Sequence, residues 1–338
     1  MKNKIFIGII ILVVCLIAVW FYTKPMQPKK KELKIGVSLY LENDTFVDSI
    51  VSAMQEEAAR YENETGCQVT LNISRANGSQ REQTKQMERY IALGYDAICV
   101  NLVDRTDASQ LIDMTQAEGI GLVFFNREPV KEDILRAENV YYVGSDARET
   151  ARKQGEAVIE AYTKYAAQMD KNGDGVLQYV MLEGEMGHQD TILRSEYVLQ
   201  TIEESGIQLE KLDAASADWL RSRAETITEN WLKSLDTPIE LVLCNNDDMA
   251  LGVAEALEQA GQTAAIFGID ATPAGQAAVE EGKLWATVDC NAAAQGKAIF
   301  EIAQALANDI PISEDILLTE QRYVRVPVSV KKSPQLVK

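Results

Sequence analysis

The stretch IELVLCNNDDMALGVAEALEQA, residues 239–260, contains the pattern that decides the fold of this chain. It starts as a short, mainly apolar run, passes through a turn of Asn and Asp, and continues with apolar residues spaced three or four apart. The first pattern predicts a buried strand, and the last predicts an amphipathic helix. A strand followed by a helix that packs back on it is the repeating unit of a parallel sheet.

The same alternation extends over the chain from residue 33 onward. The predicted strands cover residues 34–40, 68–73, 96–101, 121–125, 140–143, 177–183, 239–244, 265–269 and 285–289. The predicted helices cover residues 46–62, 79–93, 148–167, 190–204, 219–235, 247–260 and 292–307. Two series of such units predict an α/β fold with two doubly wound parallel-sheet lobes.

Composition and charge limit the possible functions. The chain has 338 residues, of which 46% are hydrophobic, and this is enough for two cores. Its formal net charge of -18 repels phosphate backbones, and no basic stripe follows residue 31, so no nucleic-acid partner is expected. The cysteines of the body lack C-x-x-C spacing, which favours buried thiols over a disulfide framework. They are Cys67, Cys99, Cys244 and Cys290.

Polar residues follow several predicted strands, in both halves of the chain. In open α/β sheets the carboxyl ends of the strands meet at one edge, where ligands bind. Asn and Asp are also good N-caps for the helices that follow, so capping alone could account for any one of them. Their recurrence favours a polar ligand between the two sheets. The residues are Asn101, Asn126, Asn245, Asn246, Asp247 and Asp270.

The segment DKNGDGVLQ, residues 170–178, follows the first nine positions of an EF-hand loop. Oxygen-bearing side chains occupy positions 1, 3, 5 and 9, a glycine supplies the turn, and position 7 offers its carbonyl. The sequence therefore predicts a Ca²⁺ site held by Asp170, Asn172, Asp174, Val176 and Gln178. Position 12, where an EF-hand has a bidentate Glu, is Met181, so either the site is weak or a distant carboxylate completes it.

Residues 5–22, IFIGIIILVVCLIAVWFY, carry no charge and are long enough to span a membrane. An uncleaved anchor is favoured, because the end of the segment lacks small residues for cleavage and Val14 precedes Cys15 where a lipoprotein signal has a small residue. A lipoprotein acylated at Cys15 and a cleaved signal peptide are the alternatives. We expect residues 1–24 to be the anchor or signal segment and residues 25–32 to be a tether to a body on the extracytoplasmic face.

Several segments together resemble a known family, the glucose/galactose-binding proteins of bacterial sugar import and chemotaxis. The resemblance rests on IGVSLYLENDTF, AICVNLVD, VFFNREP, YYVGSDARE, LEGEMGHQD, LCNNDDMALGVAEAL and FGIDATP, and it extends from about residue 33 to about residue 330. It implies a type I periplasmic binding protein fold, with a three-strand hinge near residues 125–127, 289–291 and 323–326. The implied lobes are residues 33–125 plus 291–323, and residues 126–290 plus 324–338.

The same resemblance implies which residues bind. Glu240 would be the distant carboxylate that completes the calcium site. The implied sugar-binding residues are Asp44, Phe46, Asn101, His188, Asp190, Arg194, Trp219, Asn246, Asp270 and Cys290. Phe46 and Trp219 suit the apolar faces of a pyranose, and the charged and amide groups suit its hydroxyls.

Several residues of this set also fit roles that involve no ligand. Trp219 alone could be a core or surface aromatic. A single histidine, His188, is usually a packed or surface residue, and Asp190 and Arg194 are spaced as an ordinary helical ion pair. Cys290 stands where the family has an Asn, and a thiol is a poor partner for a hydroxyl. Either the contact is weaker, or Asp289 or Asn291 replaces it.

The resemblance implies a monomeric solute-binding protein that delivers galactose or glucose to an ABC importer. The alternative is a sugar sensor that signals to a membrane kinase or chemoreceptor. Catalysis is not expected, since no nucleophile motif and no site for metal-activated water stands out.

Overall fold

The computed structural model describes residues Glu32–Val337, which form two α/β lobes. The first lobe contains β1 (Glu32–Leu39), α1 (Thr45–Thr65), β2 (Gln68–Arg75), α2 (Gln80–Ala92), β3 (Ala97–Val100), α3 (Ala108–Ala117), β4 (Gly121–Phe125), α4 (Lys131–Ile134) and β5 (Val140–Gly144). After the second lobe, the chain returns to it with α10 (Ala292–Ala307), β11 (Leu318–Thr319) and β12 (Tyr323–Arg325).

The second lobe begins with α5 (Ala147–Met169), β6 (Val176–Glu183), α6 (Gln189–Glu204), β7 (Gln208–Ser216) and α7 (Arg221–Ser234). It continues with β8 (Leu241–Cys244), α8 (Asp247–Ala260), β9 (Ala265–Asp270), α9 (Pro273–Glu280) and β10 (Ala286–Asp289). The chain ends with β13 (Ser329–Lys332) and α11 (Pro334–Val337).

Each lobe is built on one sheet. The first has the order β11-β12-β5-β4-β3-β1-β2, and the second has the order β13-β10-β9-β8-β6-β7. All neighbours are parallel except β11 against β12 and β13 against β10. The prediction of two doubly wound lobes is confirmed, with one antiparallel strand at an edge of each sheet.

The central strands consist of apolar residues because both faces of each sheet are buried. In β3, Ala97 and Cys99 pack into one core cluster, and Ile98 and Val100 pack into the cluster on the opposite face. Alternate strand residues point to opposite faces, so a strand covered on both sides is apolar throughout. This geometry explains why AICV shows no alternation of polar and apolar residues.

The predicted boundary between the lobes is wrong at one position. The prediction places residues 126–144 in the second lobe, with a hinge passage near residues 125–127. However, β5 pairs with β4 on one side and β12 on the other, so it belongs to the first sheet. The chain first leaves this sheet between Gly144 and Ala147. The other two crossings between the lobes lie at residues 289–292 and 325–329. The predicted crossings are residues 289–291 and 323–326.

The strand β7 is absent from the predicted strands because it lies at an edge of the second sheet. Its sequence, QLEKLDAAS, contains few apolar residues, and no residue of it is fully buried. An edge strand exposes one face and one side, so hydrophobic patterning marks it weakly. Within Glu32–Val337, no helix is long and apolar enough to cross a membrane. The predicted anchor at residues 5–22 lies outside the described residues.

Candidate functional site

A small, partly open cavity lies between the lobes, at the carboxyl ends of both sets of parallel strands. Its volume is about 30 Å³. One water molecule needs roughly 10–15 Å³ by this measure, so a sugar enters only if the lobes separate. The lining residues are Tyr40, Asp44, Phe46, Asn126, Arg127, His188, Asp190, Arg194, Trp219, Asn246 and Asp270.

From the first lobe, the start of α1 places Asp44 and Phe46 in the cavity wall. Asp44 is the N-cap of this helix, and its Oδ1 accepts a hydrogen bond from the backbone N–H of Val47 at 3.0 Å. Its Oδ2 accepts one from the Tyr40 hydroxyl at 2.7 Å. Each carboxylate oxygen retains a free lone pair, so Asp44 can still accept from a ligand hydroxyl. Capping and ligand binding are therefore compatible at this residue.

From the second lobe, the start of α6 supplies His188. Its Nδ1 accepts from the backbone N–H of Asp190 at 3.0 Å, which caps the helix. Burial lowers the pKa of His188 well below its usual value, and Arg127, Arg194 and Arg105 lower it further. The ring is therefore neutral at pH 7, and its Nε2–H is left as a hydrogen-bond donor.

Arg194 is the central charge of the cavity. Its side chain is 5% exposed, and it contacts Asp190 at 3.1 Å and Asp270 at 3.5 Å. Burial raises the pKa of both carboxyl groups, and Arg194 opposes that rise. The Arg194 Nε is buried without a partner among the described residues. The cavity thus offers both acceptors and a fixed donor, which is the requirement for binding a ring of hydroxyls.

Trp219 occupies space that a glycine leaves open. A Cβ on Gly184 would lie 2.1 Å from two atoms of the indole ring, so only glycine fits there without moving Trp219. The backbone of Trp219 has φ of 66°, which is rare for a bulky residue. The His188 ring packs edge-on against the indole at 5.3 Å. The position of Trp219 is therefore fixed from two sides.

Asn246 and Asp270 come from the ends of β8 and β9. Asn246 caps α8 by accepting from the backbone N–H of Met249 at 2.9 Å, and its amide nitrogen donates to the Trp219 carbonyl at 3.3 Å. Asp270 has φ of 111°, which L-residues rarely adopt, and it is 5% exposed. Strained backbone of this kind is often found at binding sites.

Two predicted sugar-binding residues do not line the cavity. Asn101 is fully buried, and its amide nitrogen donates to the Phe125 carbonyl at 3.2 Å and to Asn126 Oδ1 at 3.0 Å. It therefore lies behind Asn126, which forms the wall. Cys290 is also fully buried, at the second hinge passage, and burial raises the pKa of its thiol.

The family resemblance does not imply three residues of the wall, Tyr40, Asn126 and Arg127. Asn126 follows a predicted strand, which is a signal in the sequence, but the resemblance gives it no role. Arg127 is next to it, and its guanidinium lies 3.7 Å above the Tyr40 ring. Tyr40 ends the predicted strand 34–40, but the sequence analysis gives it no role. Arg127 carries no signal in the sequence alone, because it reaches the cavity wall through contacts with distant segments.

The predicted calcium loop folds around its own carboxylates. Asp170 accepts from the backbone N–H groups of Gly173 at 2.7 Å and Gly175 at 2.9 Å. Asp174 accepts from the backbone N–H of Val176 at 2.8 Å, which lowers its pKa. The glycines have φ of 74° and 81°, as the tight turn requires.

The distant carboxylate of Glu240 reaches this loop. It is 1% exposed, and it accepts from the backbone N–H groups of Lys171 at 2.6 Å and Gln178 at 3.2 Å. Within residues 32–337, no group of three or more His, Cys, Asp and Glu side chains is close enough to form a metal site unaided. The remaining oxygens would come from the amides of Asn172 and Gln178 and from the Val176 carbonyl. The donors of the loop and of Glu240 are all oxygens, which is the ligand type that Ca²⁺ prefers.

Comparisons with known proteins agree with this geometry. Residues 35–310 match the family described as periplasmic binding protein domain. The D-galactose/methyl-galactoside binding periplasmic protein MglB of Haemophilus influenzae is 33% identical over 296 residues, which cover 87% of this chain and 88% of that protein. A putative rhizopine-binding protein of Rhizobium meliloti is 30% identical over 291 residues, with 84% of this chain and 87% of the relative covered.

A solved structure gives a similar result. An ABC transporter solute binding protein from Bacillus halodurans with bound myo-inositol is 32% identical to this chain, with a TM-score of 0.74. The alignment covers 92% of this chain and 98% of that structure. The proteins named here are described as binding proteins and not as enzymes.

Proposed function

Because the chain belongs to the periplasmic binding protein family, we propose that it binds a monosaccharide between its two lobes and delivers it to an ABC importer. The observation that carries this proposal is the interlobe cavity, whose wall contains Phe46, Trp219 and the Asp190–Arg194–Asp270 cluster. Aromatic faces suit the apolar faces of a pyranose, and buried charged groups make strong hydrogen bonds to its hydroxyls.

The proposed ligand is D-galactose or D-glucose. Its support is the relative named for D-galactose and the presence of Asp44, whose carboxylate accepts from a hydroxyl of either orientation. The structure with bound myo-inositol makes a cyclitol the main competitor. Both ligands present a ring of hydroxyls, so the cavity chemistry alone favours neither.

Calorimetric titration of the full chain in detergent against D-galactose, D-glucose, D-ribose and myo-inositol tests the ligand. We expect the two hexoses to bind and to change tryptophan emission, because Trp219 lines the cavity. A Gly184→Ala variant should weaken binding by at least about tenfold, since its Cβ displaces the indole. Gly206→Ala is the control: with φ of 89° it strains a turn of the second lobe but has no indole beside it, so it should leave the affinity unchanged even where it lowers stability. Binding of ribose or myo-inositol alone would contradict the hexose assignment.

We also propose that the loop of residues 170–178 and Glu240 hold one structural Ca²⁺. The ligands would be Asp170, Asn172, Asp174, the Val176 carbonyl, Gln178 and Glu240. The support is the approach of Glu240 to the loop across 69 residues of sequence, through the backbone N–H of Lys171. In a binding protein without catalysis, such an ion would stabilise the second lobe.

For location, we propose that residues 5–22 hold the protein at the extracytoplasmic face of the membrane. The support is their length and lack of charge. The full chain should fractionate with membranes, and protease added to intact cells should release the body. A body that is cut only after lysis would show that the orientation is inverted. Recovery in the soluble fraction of cells would favour cleavage.

A further inference from the structure

Three side-chain hydrogen bonds join the lobes within the described part of the chain. Thr45 donates to Asp248 at 2.7 Å, and Gln189 donates to Glu128 at 3.5 Å. The third joins Arg127, after β4 in the first lobe, to Glu185, after β6 in the second lobe. This pair is the one among the three that joins opposite charges.

Contacts within the first lobe fix the side chain of Arg127 independently of Glu185. It is 7% exposed, its guanidinium lies 3.7 Å from the centre of the Tyr40 ring, and its Nη1 donates to the Val103 carbonyl at 3.1 Å. A guanidinium over an aromatic face is attracted by the ring and loses little freedom when it forms a further bond. The pair with Glu185 therefore costs less side-chain entropy than an ordinary surface ion pair.

The same contacts lead to the proposed sugar site. The Tyr40 ring that lies under Arg127 donates its hydroxyl to Asp44 Oδ2 at 2.7 Å. Burial raises the pKa of Tyr40, and the nearby Asp44 raises it further, so the hydroxyl keeps its proton and remains a donor. Glu185, Arg127, Tyr40 and Asp44 thus form one continuous chain of contacts from the second lobe to a carboxylate of the first.

We propose that Arg127 and Glu185 form an interlobe clasp that holds the closed state, and that Arg127 is a positioning residue that fixes Asp44 through Tyr40. This inference rests on the proposed function, because it assigns the clasp to the same cleft. The clasp forms only when the lobes are closed. It therefore slows release of the ligand and leaves the rate of association unchanged.

The primary test is Glu185→Gln, because Glu185 is 47% exposed and we expect its replacement to leave the fold intact. Stopped-flow tryptophan emission with D-galactose or D-glucose should show a release rate raised by about three- to tenfold and an association rate within about twofold of the unaltered chain. The melting temperature of the ligand-free chain should not change. A purely structural role would produce the opposite pattern, with altered melting and unaltered kinetics.

A double-mutant cycle then tests the pair itself. Arg127→Gln combined with Glu185→Gln should raise the release rate no more than Arg127→Gln alone, because both changes remove one interaction. Arg127→Lys keeps the charge but loses the planar group over Tyr40, so it should restore only part of the effect. The control is Asp113→Asn, which removes the 2.9 Å pair with Arg136 inside the first lobe. It should leave both rates unchanged.

The outcomes separate the two proposals. If the unaltered chain binds no sugar of the panel, the proposed function fails, and this inference fails with it. If the unaltered chain binds but Glu185→Gln releases the ligand at the original rate, the clasp alone is overturned. Independent, multiplicative effects of the two substitutions would also overturn it.

Discussion

Replacing Arg194 with Met is expected to abolish monosaccharide binding and to lower the free energy of unfolding by about 3–5 kcal/mol at neutral pH. The side chain lies between Asp190 and Asp270; Arg194 and Asp270 are buried, and Asp190 is 14% exposed. Without the guanidinium, two carboxylates remain close together with no positive charge between them. Removing one partner of a buried ion pair is costly for this reason. Denaturant unfolding and calorimetric titration measure the two effects.

The loss of stability should depend on pH. Burial already raises the pKa of Asp190 and Asp270 above their usual value, and removal of Arg194 raises both further. A carboxyl group with a higher pKa in the folded state destabilises the fold when it is ionised, and this penalty disappears as the pH falls below that pKa. The deficit of Arg194→Met relative to the unaltered chain should therefore be largest near pH 8 and shrink towards pH 5.

Two variants control this prediction. Arg194→Lys keeps a positive charge, so it should retain most of the stability while losing the hydrogen bond to the Asn245 carbonyl and most of the binding. Arg136→Met removes an arginine from the exposed surface of the first lobe and should change neither quantity. An Arg194→Met protein that binds hexose with unaltered affinity would show that the cavity is not the sugar site.

Removal of calcium is the second large effect that we expect. An ion that binds only the folded state at about 100 times its dissociation constant contributes about 2.7 kcal/mol of stability. For a lobe of this size, each kcal/mol shifts the melting temperature by roughly 2–4 °C. Chelation should therefore lower the melting temperature of verified calcium-loaded protein by about 5–10 °C. Calorimetry with and without chelator measures the shift.

Glu240→Gln tests the distant member of this site. The amide removes one negative charge and one ligand oxygen, so the variant should need higher calcium to reach the same melting temperature. Glu210→Gln is the matched control, since Glu210 accepts from Gln178 at 3.1 Å but is not in the proposed ligand set. If both variants respond to calcium as the unaltered chain does, or if chelator leaves its melting unchanged, the calcium site is contradicted.

The candidate site could be predicted to the extent that its residues follow strands. Asp270 and Asn246 stand at strand ends, and the topology of a parallel sheet brings such ends to one edge. His188 and Asp44 cap helices that begin at the same edge. Arg127 could not be found in this way, because its place in the cavity wall depends on contacts with Tyr40, Val103 and Glu185, which are far away in sequence.

By itself, the sequence determined the two-lobed architecture, the local turn of residues 170–178 and most strands and helices, but not the edge strand β7 or the short strands β11, β12 and β13. These features depend on hydrophobic periodicity and on glycines at positions of positive φ, which act over a few residues. Only the tertiary structure decided that β5 joins the first sheet, that Asn101 lies behind Asn126, and that Arg127 meets Glu185 across the cleft. Strand partners and interlobe contacts depend on packing between segments that are far apart in the chain. The local pattern of polar and apolar residues therefore does not predict them.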